Sequence, residues 1–261
     1  MPRVSRAEAE SHRQQITEAS ARLFKERGIN GVSVADLMGA AGLTHGGFYG
    51  HFQSKDALAG VAVAHAFAQS AERWRKRVAA QPDDAAGRAA IVDKFLSAQS
   101  IKEVGLGCPS VSLASDVARE PAAAPIRTAY GDGLEQLLQI LAGVEDGPDA
   151  AARRRAAIVD YATMAGALML ARATEGAPLS AEFIAAARER LLPVPAPVLA
   201  GARANAPAPA PARERATPRS SVSPLRSSRG SGGRGINPPP FSGRRTPQIR
   251  GERKRGVEVR V

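Results

Sequence analysis

The sequence predicts an all-α fold, and three observations carry that prediction. Apolar residues make up 44% of the chain but aromatics only 4%, so alanine and leucine dominate, and both favour helices over strands. Apolar positions recur at helical spacing, and no stretch shows the alternation of a half-buried strand. Helix start and stop signals punctuate the chain, among them Gly28 after Lys25-Glu26-Arg27, Ser33, Thr44 and Pro82.

Taken in order, residues 1–11 are polar and expected to fray. Over residues 12–27, Ile16, Ala19, Leu23 and Phe24 repeat at helical spacing, and Gly28 stands at the C′ position of a basic last turn. Asn30-Gly31 marks a turn. Ser33, with Asp36 three residues on, opens a second helix through a capping box that uses Asp in place of the usual Glu. That helix runs to about Ala41 and stops at Gly42. Thr44 is expected to cap a third helix over residues 45–52. Gly46, Gly47 and Gly50 make it weak by propensity, so packing of Phe48 and Phe52 must hold it. A long helix follows from about Ser54 to Ala79, with Leu58, Val61, Ala62, His65, Ala68 and Ala71 as the expected buried stripe. Residues 82–84 break it. Further helices are expected over residues 85–100, 110–119, 123–143, 149–174 and 180–192, with a loop at 105–109.

The formal net charge is +11, but its distribution matters more than its sum. Residues 193–261 hold 14 Lys/Arg against 3 Asp/Glu, which leaves 22 of each sign over residues 1–192. Bulk charge therefore says nothing about nucleic acid in the folded part, and a local motif has to. The Pro/Ala-rich, then Ser/Arg/Gly-rich tail cannot bury enough apolar surface to offset its ordering entropy and is expected to be disordered. It reads equally as a non-specific phosphate binder, a solubilising tail, or the product of a shifted reading frame. A single cysteine, Cys108, excludes an intrachain disulfide. The N-terminus is charged and lacks an apolar h-region. The most membrane-like stretch, residues 161–173, is short and contains Arg172. The expectation is a soluble, cytoplasmic protein without a membrane partner.

Two short helices joined by a tight glycine turn have the geometry of a helix-turn-helix. Here residues 33–41 form the first, Gly42-Leu43 the turn, and residues 44–52 the second. In such a unit the second helix enters the major groove, its N-terminal residues toward base edges. Ser33, Thr44, Tyr49, His51 and Lys55 supply donors for phosphate, contacts that position the protein without reading sequence. His45, with Gly46-Gly47, sits where base edges would be met.

Residues 31–58 resemble the DNA-binding signature of TetR-family (TetR/AcrR-like) regulators. Ala41-Gly42, Gly46, Tyr49, His51-Phe52, Lys55 and Leu58 fall at matching positions, and a first helix ending at Gly28 fits as well. Gly47 departs from the pattern, standing where the family usually has Thr or Ser. The resemblance implies a three-helix N-terminal domain over residues 1–54 and a helical effector-binding and dimerisation domain over 55–192, followed by the tail at 193–261. It further implies a homodimer on a two-fold DNA operator, with repression relieved by a small-molecule effector. Residues 161–173 are similar to the penultimate helix of many members, and Ala162, Gly166 and Ala173 there would let a partner helix approach.

Candidate pocket residues are Phe67, Trp74, Phe95, Cys108, Tyr130, Tyr161 and Met164, most of which are expected to be ordinary core. Cys108 is a redox sensor only if its surroundings favour the thiolate, and no flanking residue indicates that. His45 and His51 lie six apart and share no helix face as i,i+4 ligands would, so no metal site is expected. No P-loop, dinucleotide fingerprint or His-Glu-x-x-His occurs; catalytic residues and cofactors are expected to be absent. The rival reading is a sequence-independent nucleic-acid binder driven by the tail.

Overall fold

The computed structural model describes residues 5–192, and every regular element among them is helical. The expectations of a disordered tail at 193–261 and of fraying over residues 1–4 lie outside the described residues.

Helix α1 (Arg6–Arg27) starts earlier than expected because the Ser5 hydroxyl accepts a hydrogen bond from Glu8 N–H at 3.1 Å. The polar stretch taken for a frayed end is thus a capped first turn, a contribution of about 1 kcal/mol. At the other end Gly28 adopts φ 75°, a left-handed conformation that side chains resist, while its N–H closes on Phe24 O. Ile29 N–H then donates to Asp116 Oδ2 at 2.9 Å, fixing the exit of α1 to a helix far along the chain.

Helix α2 (Val34–Ala40) leads through a glycine turn to a 3-10 helix, His45–Gly50. The third helix is therefore tighter than the α-helix expected over 45–52, and Thr44 makes no side-chain cap bond. Gly46, Gly47 and Gly50 carry too little helix propensity to hold longer α-type geometry, and short 3-10 pieces tolerate that. Phe48 is fully buried and Phe52 nearly so, as the packing argument required.

Helix α3 (Lys55–Ala79) is the central element, packed on α1 and α7. Its buried face is Leu58, Ala59, Ala62, Val63, Ala66, Phe67, Ser70, Ala71 and Trp74. Of the expected stripe, Leu58, Ala62 and Ala71 lie on that face, His65 is half-buried and bonded to Gln69, and Val61 and Ala68 are exposed. The inner face is rotated toward Val63 and Phe67, because alanine at nearly every turn left little contrast by which to orient it.

Helix α4 (Asp84–Phe95) is capped by Asp83, and α5 (Ala98–Lys102) follows as a separate turn, where one helix over 85–100 was expected. Ser97 Oγ accepts from Ser100 N–H at 3.2 Å, and Ser100 Oγ donates to Lys94 O at 2.7 Å. The serine hydroxyls compete with the helical backbone and break the ladder. A 3-10 turn, Val104–Leu106, lies within the expected loop, and Pro109 opens α6 (Pro109–Arg119) at its first position.

Helices α7 (Pro125–Gly143), α8 (Ala150–Ala173) and α9 (Pro178–Leu191) complete the fold. A close α3–α7 crossing depends on Gly133, where a Cβ would stand 2.2 Å from Phe67 Cγ. Arg88 gathers α4, α8 and α9 by bonding Glu145, Asp160 and the Leu191 carbonyl. By length and composition α8 is able to cross a membrane. It nevertheless bears Arg153, Arg154, Arg155, Asp160 and Arg172, and it buries Ala157, Tyr161, Met164, Leu168 and Ala171 within the fold. It is the core helix of this domain.

Candidate functional site

The site grows from the Ser33 cap. Asp36 N–H donates to Ser33 Oγ at 3.2 Å and Ser33 N–H to Asp36 Oδ2 at 2.8 Å, so the capping box read from the sequence is complete. The Ser33 hydroxyl donating to Asp36 Oδ2, and then the Ser33 N–H, hold the Asp36 carboxyl below its usual range. The Ser33 hydroxyl, expected to face phosphate, is thereby engaged with Asp36.

At the end of α2, Leu43 N–H reaches back to Met38 O at 2.9 Å across Gly42, whose φ is 73°. This reversal turns the next segment across α2. Phe48 is its anchor: fully buried, with the Tyr49 ring edge-on at 5.2 Å and Phe52 at 6.1 Å. The neighbours of that anchor point outward. Tyr49 is 72% exposed, and Thr44, His45, Gly46 and Gly47 are exposed too. Lys55 is half-exposed at the first turn of α3, whose Ser54 cap accepts from Ala57 N–H at 3.0 Å. His51 is half-buried, its ring edge-on to His12 at 5.9 Å. Burial, then the charges of His12 and Arg13, lower its pKa and favour the neutral ring. The expected DNA-binding residues are thus brought into one segment, with Ser33 engaged in its cap and His51 partly withdrawn.

Sequence reasoning missed Arg13. Its guanidinium donates to the His51 carbonyl and lies 4.2 Å over the Phe52 ring, a cation–π contact that clamps the 3-10 helix to α1. Nothing local signals this, because the partners are 38 residues apart.

The expected pocket residues also come together, as a packed cluster. Trp74, Phe95 and Tyr161 have centroids about 6 Å apart, and Phe67 meets Tyr130 edge-on at 5.3 Å. Tyr161 Oη lies 2.7 Å from Ser110 Oγ and 3.3 Å from Cys108 Sγ, while Tyr130 Oη donates to Ser110 O at 2.9 Å. Met164 is fully buried. An open cavity of about 240 Å³ lies on a different lining, which includes Arg73, Lys94, Ser100 and Gly107. Among the described residues no group of acids, histidines or cysteines is placed to hold a metal.

Residues 16–62 match the family model described as bacterial regulatory proteins, tetR family. The fold agrees over most of the chain with the crystal structure of a TetR transcriptional regulator from Chloroflexus aurantiacus, at 26% identity and a TM-score of 0.59, covering 71% of this chain and 94% of that one. Residues 16–62 carry the tetR-family pattern. The chain is 38% identical over 58 residues to the HTH-type transcriptional regulator AcrR of Shigella flexneri, a match covering 22% of this chain and 27% of that protein. It is 44% identical over 48 residues to the HTH-type transcriptional repressor DhaR of Mycobacterium sp. (strain GP1), covering 18% and 24%. The chain therefore spans about a quarter of the length of the curated relatives it matches, and the family-model match over residues 16–62 runs from α1 to the start of α3, where the exposed Tyr49 segment lies.

Proposed function

We propose that this protein is a sequence-specific DNA-binding transcriptional regulator, a repressor acting in the cytoplasm that a small-molecule effector releases from its operator. The observation that carries this reading is the exposed Tyr49 edge of a segment anchored from behind by Phe48 and clamped by Arg13. A rigid, glycine-faced element lets backbone and phenol approach the groove closely. Residues 1–54 bind DNA in this reading, and residues 55–192 carry effector binding and dimerisation. Supporting a homodimer, Ile158, Val159, Met169 and Leu170 leave an exposed apolar ridge on α8, with Ala162 and Gly166 between them. A Cβ at Gly166 would meet nothing within 4 Å, so a partner helix has room to approach. Two-fold operators call for two-fold proteins.

The test is a mobility shift of the full chain on promoter regions flanking its own gene, with competitor DNA and a Tyr49→Ala control. The expected result is a two-fold footprint weakened about tenfold or more in the control, the range of one hydrogen bond to a charged group. An undiminished Tyr49→Ala shift that disappears when residues 193–261 are removed would sink this reading in favour of tail-driven binding.

A further inference from the structure

Three cations converge on the turn around Gly107 without a carboxylate partner among the described residues. Lys25, in the last turn of α1, is 6% exposed, and its Nζ has one long hydrogen bond, 3.4 Å to Gly107 O. Arg172 of α8 donates twice to Ser100 O, at 3.1 and 2.7 Å, and once to Ser112 Oγ at 3.1 Å. Its guanidinium so closely backs the turn that a Cβ on Gly107 would stand 2.6 Å from Nη2. Arg73 of α3 donates to Ser70 Oγ at 2.9 Å. None of the three forms an ion pair with a described residue.

One cavity of about 240 Å³ lies beside these groups. Arg73, Lys94, Gln99, Ser100, Glu103 and Gly107 line it. Arg172 and Lys25 are bonded to its wall at Ser100 and Gly107. Lys94 holds Gln99, which donates to Glu103 at 2.8 Å, so the single acid of the wall is engaged along its edge. Glu26, the other acid near Lys25, sits on the exposed flank of α1. The lining itself sets Arg73 and Lys94 against Glu103, and Lys25 and Arg172 add two further positive charges behind the Gly107 and Ser100 backbone. Burying an ammonium with one long hydrogen bond is costly unless something else completes its shell.

We propose that this cavity is the effector site and that it takes a small organic anion, its carboxylate or phosphate oxygens held by Arg73 and Lys94, with the charges of Arg172 and Lys25 behind the Ser100 and Gly107 wall. The effector role rests on the regulator reading above; anion binding itself does not. The volume equals the liquid share of about eight waters, which suits a short dicarboxylate or a phosphomonoester head. Arg73 offers a planar fork for paired oxygens, while Arg172, its own fork spent on Ser100 and Ser112, and Lys25 add charge from behind the wall. Because Lys25 belongs to α1, whose Arg13 clamps the Tyr49 segment, an anion drawing on Lys25 acts on the helix that holds the DNA-facing element.

The experiment titrates the full chain with inorganic phosphate and with succinate, against chloride at matched ionic strength. Trp74, the only tryptophan and the neighbour of Arg73, reports by fluorescence. The thermal midpoint is the second readout. The expected result is a saturable response to at least one probe but not to chloride, weakened at least tenfold in Arg73→Gln. Lys25→Met is expected to weaken the response and raise the midpoint of the unliganded protein, since it removes an uncompensated buried charge. The proposal is overturned if neither probe exceeds chloride, if Arg73→Gln titrates like the wild type, or if Lys25→Met lowers the midpoint and leaves the response intact. Operator shifts on the same samples separate the two readings. Lost anion response with intact specific DNA binding sinks the site alone, whereas a saturable anion response without any specific DNA binding sinks the regulator reading.

Discussion

Gly47 lies on the exposed side of the Tyr49 segment, and a Cβ there would meet only Met38 Cε at 3.7 Å and Thr44 Oγ1 at 4.0 Å, both ordinary contacts. Its φ is not positive, so the backbone accepts any side chain. Gly47→Ser is therefore expected to fold normally and to tighten DNA binding about tenfold, by adding a hydroxyl for phosphate where the chain has none. Titration on the selected operator checks this; an unchanged or weaker affinity would mean that position 47 does not face the backbone of DNA. The placement of Tyr49, His45 and Lys55 beside their anchors was legible at this scale, because motif spacing sets them within a few residues of one another. Arg13 was not, since its partners His51 and Phe52 belong to another element. Lys25 was hidden too: read from sequence it is only a basic residue in a last turn, where helices commonly carry one.

At the scale of elements, α7 offers a paired test of why α3 and α7 lie so close. Gly133→Ala drives a methyl into Phe67, and overpacking of this kind costs about 1–3 kcal/mol, more than the roughly 1 kcal/mol that alanine gains in helix propensity. Gly131, two residues away, is exposed with nothing within 4 Å of an added Cβ. Gly131→Ala should accordingly raise the thermal midpoint by a few degrees and Gly133→Ala lower it, at about 2–4 °C per kcal/mol for a domain of this size. Equal effects from both would show that propensity, not packing, decides this helix. Most helices were legible in position, the Ser33 cap leaving the clearest local mark, whereas the Ser5 cap of α1 and the Pro109 start of α6 were read as a frayed end and a loop. Faces were less so. On α3 nearly every turn carries alanine, which is at home buried or exposed, so Val61 and Ala68 could be exchanged for Val63 and Phe67 without breaking periodicity. The split at Ser97 depends on paired serine hydroxyls that no hydrophobic pattern reveals.

For the molecule as a whole, alkaline titration should give a stability maximum. Burial first, then the charge of Arg73, bring Lys25 down to about 8 from 10.5, against the opposing effects of Cys108 and Glu26. Between those values the unfolded chain keeps a proton that the folded one has released, so stability rises with pH, by at most about 3 kcal/mol. Burial moves Tyr130 the other way, up to about 12, and raises Tyr161 as well. Above pH 10 the folded chain holds phenol protons that the unfolded chain loses, and stability falls. Thermal midpoints from pH 7 to 11 should therefore climb above pH 8 and drop beyond 10; Lys25→Met should remove the climb and keep the drop. At the same scale, Val159→Glu on the exposed ridge of α8 is expected to convert a dimer to monomers in sedimentation velocity and to cost operator affinity without lowering helix content. A wild-type sedimentation profile would place the association surface elsewhere.

Helix α1 has a mechanical consequence. Arg13 grips the DNA-facing segment and Lys25 touches the Gly107 wall, and both belong to one unbroken rod, 12 residues or about 18 Å apart along its axis. Pivoting that rod by about 5° where Gly28 and Ile29 meet Asp116, about 22 Å from Arg13, would swing the Arg13 end sideways by about 2 Å, two thirds the length of a hydrogen bond. In a two-fold pair both arms swing together, so the gap between two major-groove readers would change by up to twice that. A lever of this length turns a sub-ångström adjustment beneath Lys25 into a misfit on the scale of a base-pair step.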